Sequence, residues 1–221
     1  MTDLPETDTN LSSEENTPSS DTATAASAKK ESPLTFLFDL LEVTVFAVCA
    51  SLLLYMLFVR VCKVAGRSMQ HTLQNNELLV ASNLSKIEAG DIIIFHQTSD
   101  EYDRFNEPLV KRVIATEGQT VRIDFNTSQV FVDGILLDEP YIALINQLGQ
   151  NVGRMTALPS VPDYNRNTKI LETTVPEGCY FVMGDNRNNS ADSRSVQVGF
   201  VDTRRVLGKA VLRLKPWTTF D

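Results

Sequence analysis

The sequence feature that most constrains the fold is a run of 17 uncharged residues, Val43–Val59, which reads VTVFAVCASLLLYMLFV. As a helix this run would be about 26 Å long, slightly shorter than a hydrocarbon core of about 30 Å. The preceding residues Leu34–Glu42 make the segment long enough to cross a bilayer. The sequence therefore predicts one transmembrane helix over residues 34–60, with a buried core helix as the alternative.

The charges on either side of this segment do not decide its orientation. Lys29 and Lys30 precede it, and Arg60, Lys63 and Arg67 follow it. Because positively charged flanks tend to stay in the cytoplasm, the pattern mildly disfavours an outside position for the C-terminal region.

Residues 1–33 are rich in Ser, Thr, Asn, Glu and Ala and contain no aromatic residue. The segment contains seven carboxylates and two lysines, Lys29 and Lys30, so it carries a net charge of −5 out of the chain's −8. Such a composition buries too little apolar surface to offset the entropy lost on ordering, and it predicts a disordered tail. Neither the tail nor the remaining residues have the basic excess of a nucleic-acid-binding protein.

The cysteines and histidines do not indicate a metal site. The chain has three cysteines, Cys49, Cys62 and Cys179, and their spacing is not that of metal ligands or of a redox motif. The sequence does not decide whether Cys62 and Cys179 form a disulfide. His71 and His96 are the chain's two histidines. We therefore predict neither a metal nor a cofactor.

After Arg60 the sequence becomes strand-like, and we predict a mainly β domain over residues 61–221. No long amphipathic helical period follows the apolar segment. A polar region from about Tyr141 to Thr174 contains Pro159 and Pro162 and is typical of an insertion. Six stretches rich in β-branched and aromatic residues are Glu77–Ala81, Asp91–His96, Leu109–Ala115, Thr120–Asp124, Gln129–Val132 and Cys179–Met183.

Three segments of this domain carry distinctive motifs. Residues 66–73 read GRSMQHTL, residues 110–115 read VKRVIA, and residues 184–194 read GDNRNNSADSR. In this order they resemble the signature motifs of type I signal peptidases, which are G-x-S-M-x-P-T-L, K-R-V-I-G/A and G-D-N-R-x-x-S-x-D-S-R. The third match is the most specific because it extends over eleven residues.

The resemblance implies an antiparallel β catalytic domain with an inserted β region at about residues 126–177. One N-terminal transmembrane helix would anchor this domain, with the N-terminus cytoplasmic and the domain extracytoplasmic. It also implies a serine endopeptidase that removes N-terminal signal peptides from exported preproteins. The expected partners are those preproteins and the lipid bilayer.

The resemblance also implies a role for each motif residue. Ser68 would be the nucleophile and Lys111 the general base, with Ser190 hydrogen-bonded to the Lys111 amine. Asp185 would support the loop of the third motif, and Asp192 and Arg194 would brace it as an ion pair. Substrate would lie beside Leu109–Lys111, with Met69 and Val110 lining pockets for small residues.

The chemistry of a Ser–Lys pair can also be argued from the residues themselves. A serine hydroxyl needs a neighbouring base to become a good nucleophile. An exposed lysine is protonated at neutral pH, but desolvation disfavours its ammonium form. Lys111 lies in an apolar, strand-like run, which is the setting that such a base requires.

Two departures from the family pattern stand near the expected nucleophile. His71 replaces the usual proline, which removes a fixed φ from that turn. Gly66 occupies the position from which some relatives supply a hydroxyl to the oxyanion, so at this position only backbone could serve.

Three alternatives remain at this point. A Ser–His dyad could use His71 or His96, although the G-x-S-x-G elbow is missing. A self-cleaving repressor-type Ser–Lys protease would have an N-terminal helix-turn-helix in place of the apolar segment. A non-enzymatic, membrane-anchored β module that binds partner proteins would not need the third motif.

Overall fold

The computed structural model of the chain describes residues 33–97, 108–156, 158–214 and 217–219. The chain divides into two compact units, one ending at Phe46 and the other running from Ala47 to Asp221. The predicted tail over residues 1–33 lies outside the described residues, apart from Pro33.

Helix α1 (Pro33–Phe58) contains no buried residue. Its mean hydropathy reaches 2.2, and it is long and apolar enough to cross a membrane. A core helix of a soluble protein would bury one face, so the alternative of a buried core helix gains no support from α1.

Helix α1 ends two residues before the predicted boundary at Arg60, because the chain enters strand β1 (Val59–Lys63). In β1, Val59 lies opposite Ser82 and Arg60 opposite Ala81 of strand β2 (Leu78–Ser82). β-branched residues such as Val59 and Val61 fit an extended strand well. The turn from helix to strand therefore falls inside the apolar run.

The larger sheet contains eight strands in the order β1-β2-β12-β3-β4-β10-β11, with β13 paired to β12. All its strand pairs are antiparallel. This confirms the expectation of a mainly antiparallel β fold behind an N-terminal apolar helix. The remaining strands of this sheet are β3 (Ile92–Phe95), β4 (Leu109–Ala115), β10 (Cys179–Met183), β11 (Val201–Asp202), β12 (Val206–Leu214) and β13 (Trp217–Thr219).

The second sheet lies between β4 and β10 in the chain and has the order β7-β6-β5-β9-β8. It begins earlier than the predicted boundary near residue 126, because β5 pairs with both β6 and β9. Its strands are β5 (Thr120–Asp124), β6 (Gln129–Val132), β7 (Ile135–Leu136), β8 (Tyr164–Asn165) and β9 (Ile170–Thr174).

Strand β4 lies between β3 and β10, and its residues contribute to all three apolar clusters of the core. Side chains alternate between the two faces of a strand, so Lys111 shares its face with Leu109 and Val113. Val113 belongs to a cluster that also contains Ile93, the residue paired with Lys111. A lysine at this position is therefore surrounded by apolar side chains of the core.

The cysteines in the structure are free thiols. The Cys62–Cys179 disulfide that the sequence left open is not formed. Among the described residues, no group of three or more His, Cys, Asp and Glu side chains is placed to hold a metal ion.

Candidate active site

Ser68 and Lys111 come together although they lie 43 positions apart in the chain. Ser68 is half-buried in the loop after β1, and Lys111 is in β4 with only 3% of its surface exposed. Lys111 Nζ donates hydrogen bonds to Ser68 Oγ at 2.9 Å and to the Val110 carbonyl at 2.8 Å. The serine hydroxyl thus lies within direct proton-transfer distance of the amine.

Burial lowers the pKa of Lys111 from 10.5 to about 8. The carboxylates of Asp192 and Asp185 act in the opposite direction, and the charge of Arg194 lowers the pKa further. Desolvation outweighs the carboxylates because no counter-ion contacts the amine directly among the described residues. A large fraction of Lys111 is therefore neutral at mildly alkaline pH.

The hydrogen bond expected between Ser190 and Lys111 is not formed. Ser190 Oγ is buried and makes no hydrogen bond to the Lys111 amine. It lies close enough to the Asp192 carboxylate to help lower its pKa. Ser190 also lies against Gly184, where a Cβ would stand 2.2 Å from Ser190 Oγ and 2.6 Å from the Ser68 carbonyl oxygen. Only glycine at position 184 allows this approach.

Asp192 and Arg194 form a buried ion pair in the loop of the third motif. Arg194 Nε and Nη2 each donate to the Asp192 carboxylate at 2.8 Å. The same carboxylate accepts from Gly184 N at 3.0 Å. Burial alone would raise the pKa of Asp192, but Arg194 and these hydrogen bonds hold it below its ordinary value. The carboxylate is therefore ionised and ties Gly184 to this loop.

Asp185 links the third motif to the other two. It accepts from Arg112 Nε at 2.9 Å and Nη2 at 2.7 Å, and from Thr72 Oγ1 at 2.5 Å. Arg112 also stacks over the ring of Tyr141, 3.9 Å from its centroid. Sequence reasoning assigned no role to Thr72, Arg112 or Tyr141, although Thr72 and Arg112 lie within the first two motifs.

The inserted region also contacts the loop of the third motif. Arg187 is fully buried and forms a bidentate ion pair with Glu139. Ala143 N donates to the Asp185 carbonyl at 2.8 Å, and Arg187 N donates to the Ala143 carbonyl at 2.9 Å. Sequence reasoning missed Glu139 and Ala143, because neither belongs to a motif and both lie more than 40 residues before the loop.

The residues expected to contact substrate lie along one edge of β4. The last pair between β4 and β10 is Arg112 with Met183, so Leu109–Lys111 extend beyond the end of β10. Among the described residues, no strand pairs with that side of Leu109–Lys111. Met69 and Val110 are both buried in one apolar cluster beside this edge. An extended peptide could add to the sheet here.

Neither histidine takes the place of Lys111. His71 and His96 are exposed, and the hydrogen bond to Ser68 Oγ in the described part of the chain comes from Lys111. The geometry therefore favours a Ser–Lys pair over the alternative Ser–His dyad.

Comparison with known proteins supplies the family. The model of the signal peptidase family, peptidase S26, matches residues 37–217. The chain belongs to this family. Signal peptidase I of Bacillus caldolyticus is 37% identical over 161 residues, which are 71% of this chain and 80% of that protein. Signal peptidase IB of Staphylococcus aureus strain COL is 29% identical over 163 residues, covering 71% and 78% respectively.

Among solved structures, the crystal structure of a signal peptidase I from Enterococcus faecalis V583 is 30% identical. It covers 58% of this chain and all of that chain, with a TM-score of 0.39. Family membership makes the chain a peptidase, as the motifs predicted. The alternative of a non-enzymatic β module is not favoured.

Proposed function

We propose that this chain is a membrane-anchored signal peptidase I in which Ser68 is the nucleophile and Lys111 the general base. Membership in the signal peptidase family supports the removal of signal peptides from preproteins. The observation that carries the residue assignment is the 2.9 Å hydrogen bond between Lys111 Nζ and Ser68 Oγ, made by a buried lysine with a lowered pKa.

In the proposed reaction, neutral Lys111 takes the hydroxyl proton as Ser68 Oγ attacks the scissile carbonyl carbon. The carbonyl electron pair moves onto oxygen, and the Ser68 N–H is the natural donor to this oxyanion. When the tetrahedral intermediate collapses, Lys111 returns the proton to the leaving amine. Water then attacks the acyl-enzyme carbonyl while Lys111 takes its proton; the bond from that carbon to Ser68 Oγ breaks, and Lys111 returns the proton to the serine as the product acid leaves.

The supporting groups position the pair and do not react. Asp185 connects Arg112 of β4 to Thr72 of the nucleophile loop, and Asp192 with Arg194 braces the loop beside Lys111. Ser190 fills the space against Gly184. Its role in this proposal is packing beside the dyad, since it does not hydrogen-bond to Lys111.

The substrate would bind as an extended strand along Leu109–Lys111, because the backbone groups on that edge lack a partner strand among the described residues. Met69 and Val110 are buried and fill space beside this edge. Pockets built on them would be shallow and would accept small side chains such as alanine at the first and third positions before the cut.

Helix α1 supports membrane anchoring by its length, hydropathy and lack of buried residues. The proposed domains are a cytoplasmic tail over residues 1–33, a transmembrane segment over about residues 34–60 and an extracytoplasmic protease domain over residues 61–221. This orientation follows from where signal peptides emerge, against the mildly contrary charge distribution.

The full chain in detergent micelles should cut a signal-peptide-bearing preprotein once, at the bond after the small residue that ends the signal peptide. N-terminal sequencing of the product measures the position. The matched control is the same preprotein with isoleucine in place of that small residue, which should stay uncut because the shallow pocket excludes it. Equal cleavage of both preproteins, or a cut at another bond, would contradict the proposed substrate.

A further inference from the structure

Asn186 is a fully buried residue of the third motif for which the mechanism above has no role. Its backbone N–H donates to the Ser68 carbonyl at 2.9 Å, and its side-chain Nδ2 donates to the Arg67 carbonyl at 3.3 Å. One residue therefore holds both peptide carbonyls that flank Ser68.

The Asn186 side chain makes its hydrogen bond through the Nδ2 donor, which contacts the Arg67 carbonyl. Its Oδ1 is buried without a hydrogen-bond partner among the described residues. Leaving an acceptor unpaired in the interior costs free energy, and an apolar side chain would avoid this cost. An amide at this position is consistent with a requirement for the N–H that reaches Arg67.

The Arg67 carbonyl and the Ser68 N–H are the two ends of one planar peptide group. The Arg67 carbonyl accepts from the Gln70 N–H of the same turn at 3.2 Å as well as from Asn186 Nδ2. The two donors together fix the orientation of this plane, and with it the direction of the Ser68 N–H. A hydrogen bond at the carbonyl also polarises the peptide group, which strengthens hydrogen bonds from the N–H end.

Asn186 is itself held in place. Ala143 of the inserted region forms a parallel bridge with it, through hydrogen bonds to the Asp185 carbonyl and from the Arg187 N–H. On the other side, the close approach of Gly184 to the Ser68 carbonyl fixes the distance between the loop of the third motif and the loop that carries Ser68. The inserted region thus supports the peptide that carries the nucleophile.

We propose that Asn186 is a positioning residue of the oxyanion donor, an inference that rests on the proposed function. In the transition state the bond from Ser68 Oγ to the carbonyl carbon forms, the carbonyl electron pair moves to oxygen, and the hydroxyl proton passes to Lys111. The Ser68 N–H meets this oxygen in the direction that Asn186 and the turn at Gln70 fix through the Arg67 carbonyl. Asn186 itself contacts neither substrate nor oxyanion.

The test uses the full chain in detergent micelles with Asn186→Ala, which removes the donor. Because the oxyanion exists only in the transition state, kcat should fall about 10- to 100-fold while KM changes less than about threefold. A peptide aldehyde, which forms a tetrahedral adduct with Ser68, should lose affinity by the same factor as kcat/KM. The pH midpoint of kcat/KM should not move, because Lys111 is untouched.

Asn186→Asp is the second variant, because it keeps the shape of the side chain and loses the N–H donor; it should show the same loss at pH values above the midpoint. The matched control is Asn188→Ala, which removes another buried asparagine of the loop. Asn188 donates to the Arg154 carbonyl and accepts from Thr156 N. Its kcat and aldehyde affinity should stay within about threefold of the wild-type values. Circular dichroism and thermal unfolding verify that each variant is folded.

Equal losses in Asn186→Ala and Asn188→Ala would show a general loosening of the loop and overturn the proposal. So would a folded Asn186→Asp variant with wild-type kcat and aldehyde affinity. These outcomes concern Asn186 alone, provided that the wild-type chain cleaves the preprotein. A wild-type chain that neither cleaves it nor binds the aldehyde at Ser68 would instead refute the proposed function.

Discussion

Ser68→Ala and Lys111→Met should each lower kcat/KM on a signal-peptide precursor by about 1,000-fold or more. The nucleophile and base of such a pair act as a unit, so the loss of either one removes most of the rate, and the double variant should be little worse than each single one. Methionine keeps the length and apolar contacts of Lys111 without its amine. The initial rate of precursor cleavage in detergent micelles measures the effect.

The matched controls for these variants are Ser85→Ala and Lys86→Met, which change exposed residues between β2 and β3. Both should retain wild-type kcat/KM. A Lys111→Met variant that is folded and cleaves at more than a tenth of the wild-type rate would remove Lys111 from the chemistry.

Asp192→Asn should lower the free energy of unfolding by about 3–5 kcal/mol, because it leaves the buried Arg194 guanidinium without its counter-ion. Arg194→Met should be destabilising for the converse reason. The double variant should lose less than the sum of the two single losses, since neither charge then remains unpaired. Urea unfolding of the full chain in micelles, followed by tryptophan fluorescence, measures the three values.

Glu172→Gln is the control for the ion pair, because Glu172 and Arg122 form an exposed pair in the second sheet. Exposed pairs contribute about 0–1 kcal/mol. Additive losses in the Asp192 and Arg194 variants would mean that the two side chains do not depend on each other. The bracing role assigned to this pair would then be wrong.

Much of the β fold could be predicted from local sequence. The strands at Leu109–Ala115, Thr120–Asp124, Gln129–Val132 and Cys179–Met183 have the predicted bounds. Their β-branched and aromatic residues end at turn-forming residues, so the signal is local on both sides.

Strand β12 was missed, although it pairs with β2, β3 and β13 near the middle of the larger sheet. Gly208 and Lys209 interrupt its apolar pattern. A Cβ at Gly208 would lie 2.7 Å from the Ser82 carbonyl oxygen, and Lys209 forms an ion pair with Asp91. Both features depend on neighbouring strands, which a local pattern cannot reveal.

The candidate site shows the same division between local and tertiary information. The motifs predicted which residues gather around Ser68 and Lys111. They could not give the contacts of Asp185 with Arg112 and Thr72, nor the pair of Arg187 with Glu139, which join distant segments. The expected hydrogen bond of Ser190 with Lys111 came from the family resemblance, and it is not formed in the structure.

The most direct test of the account is the pH dependence of kcat/KM on a signal-peptide substrate. In the proposed mechanism neutral Lys111 is the active form, and burial lowers its pKa to about 8. The value of kcat/KM should therefore rise about tenfold per pH unit below that point and level off above it. The same limb should persist in His71→Ala and His96→Ala. A midpoint near 6.5 that disappears in either histidine variant would contradict Lys111 as the base.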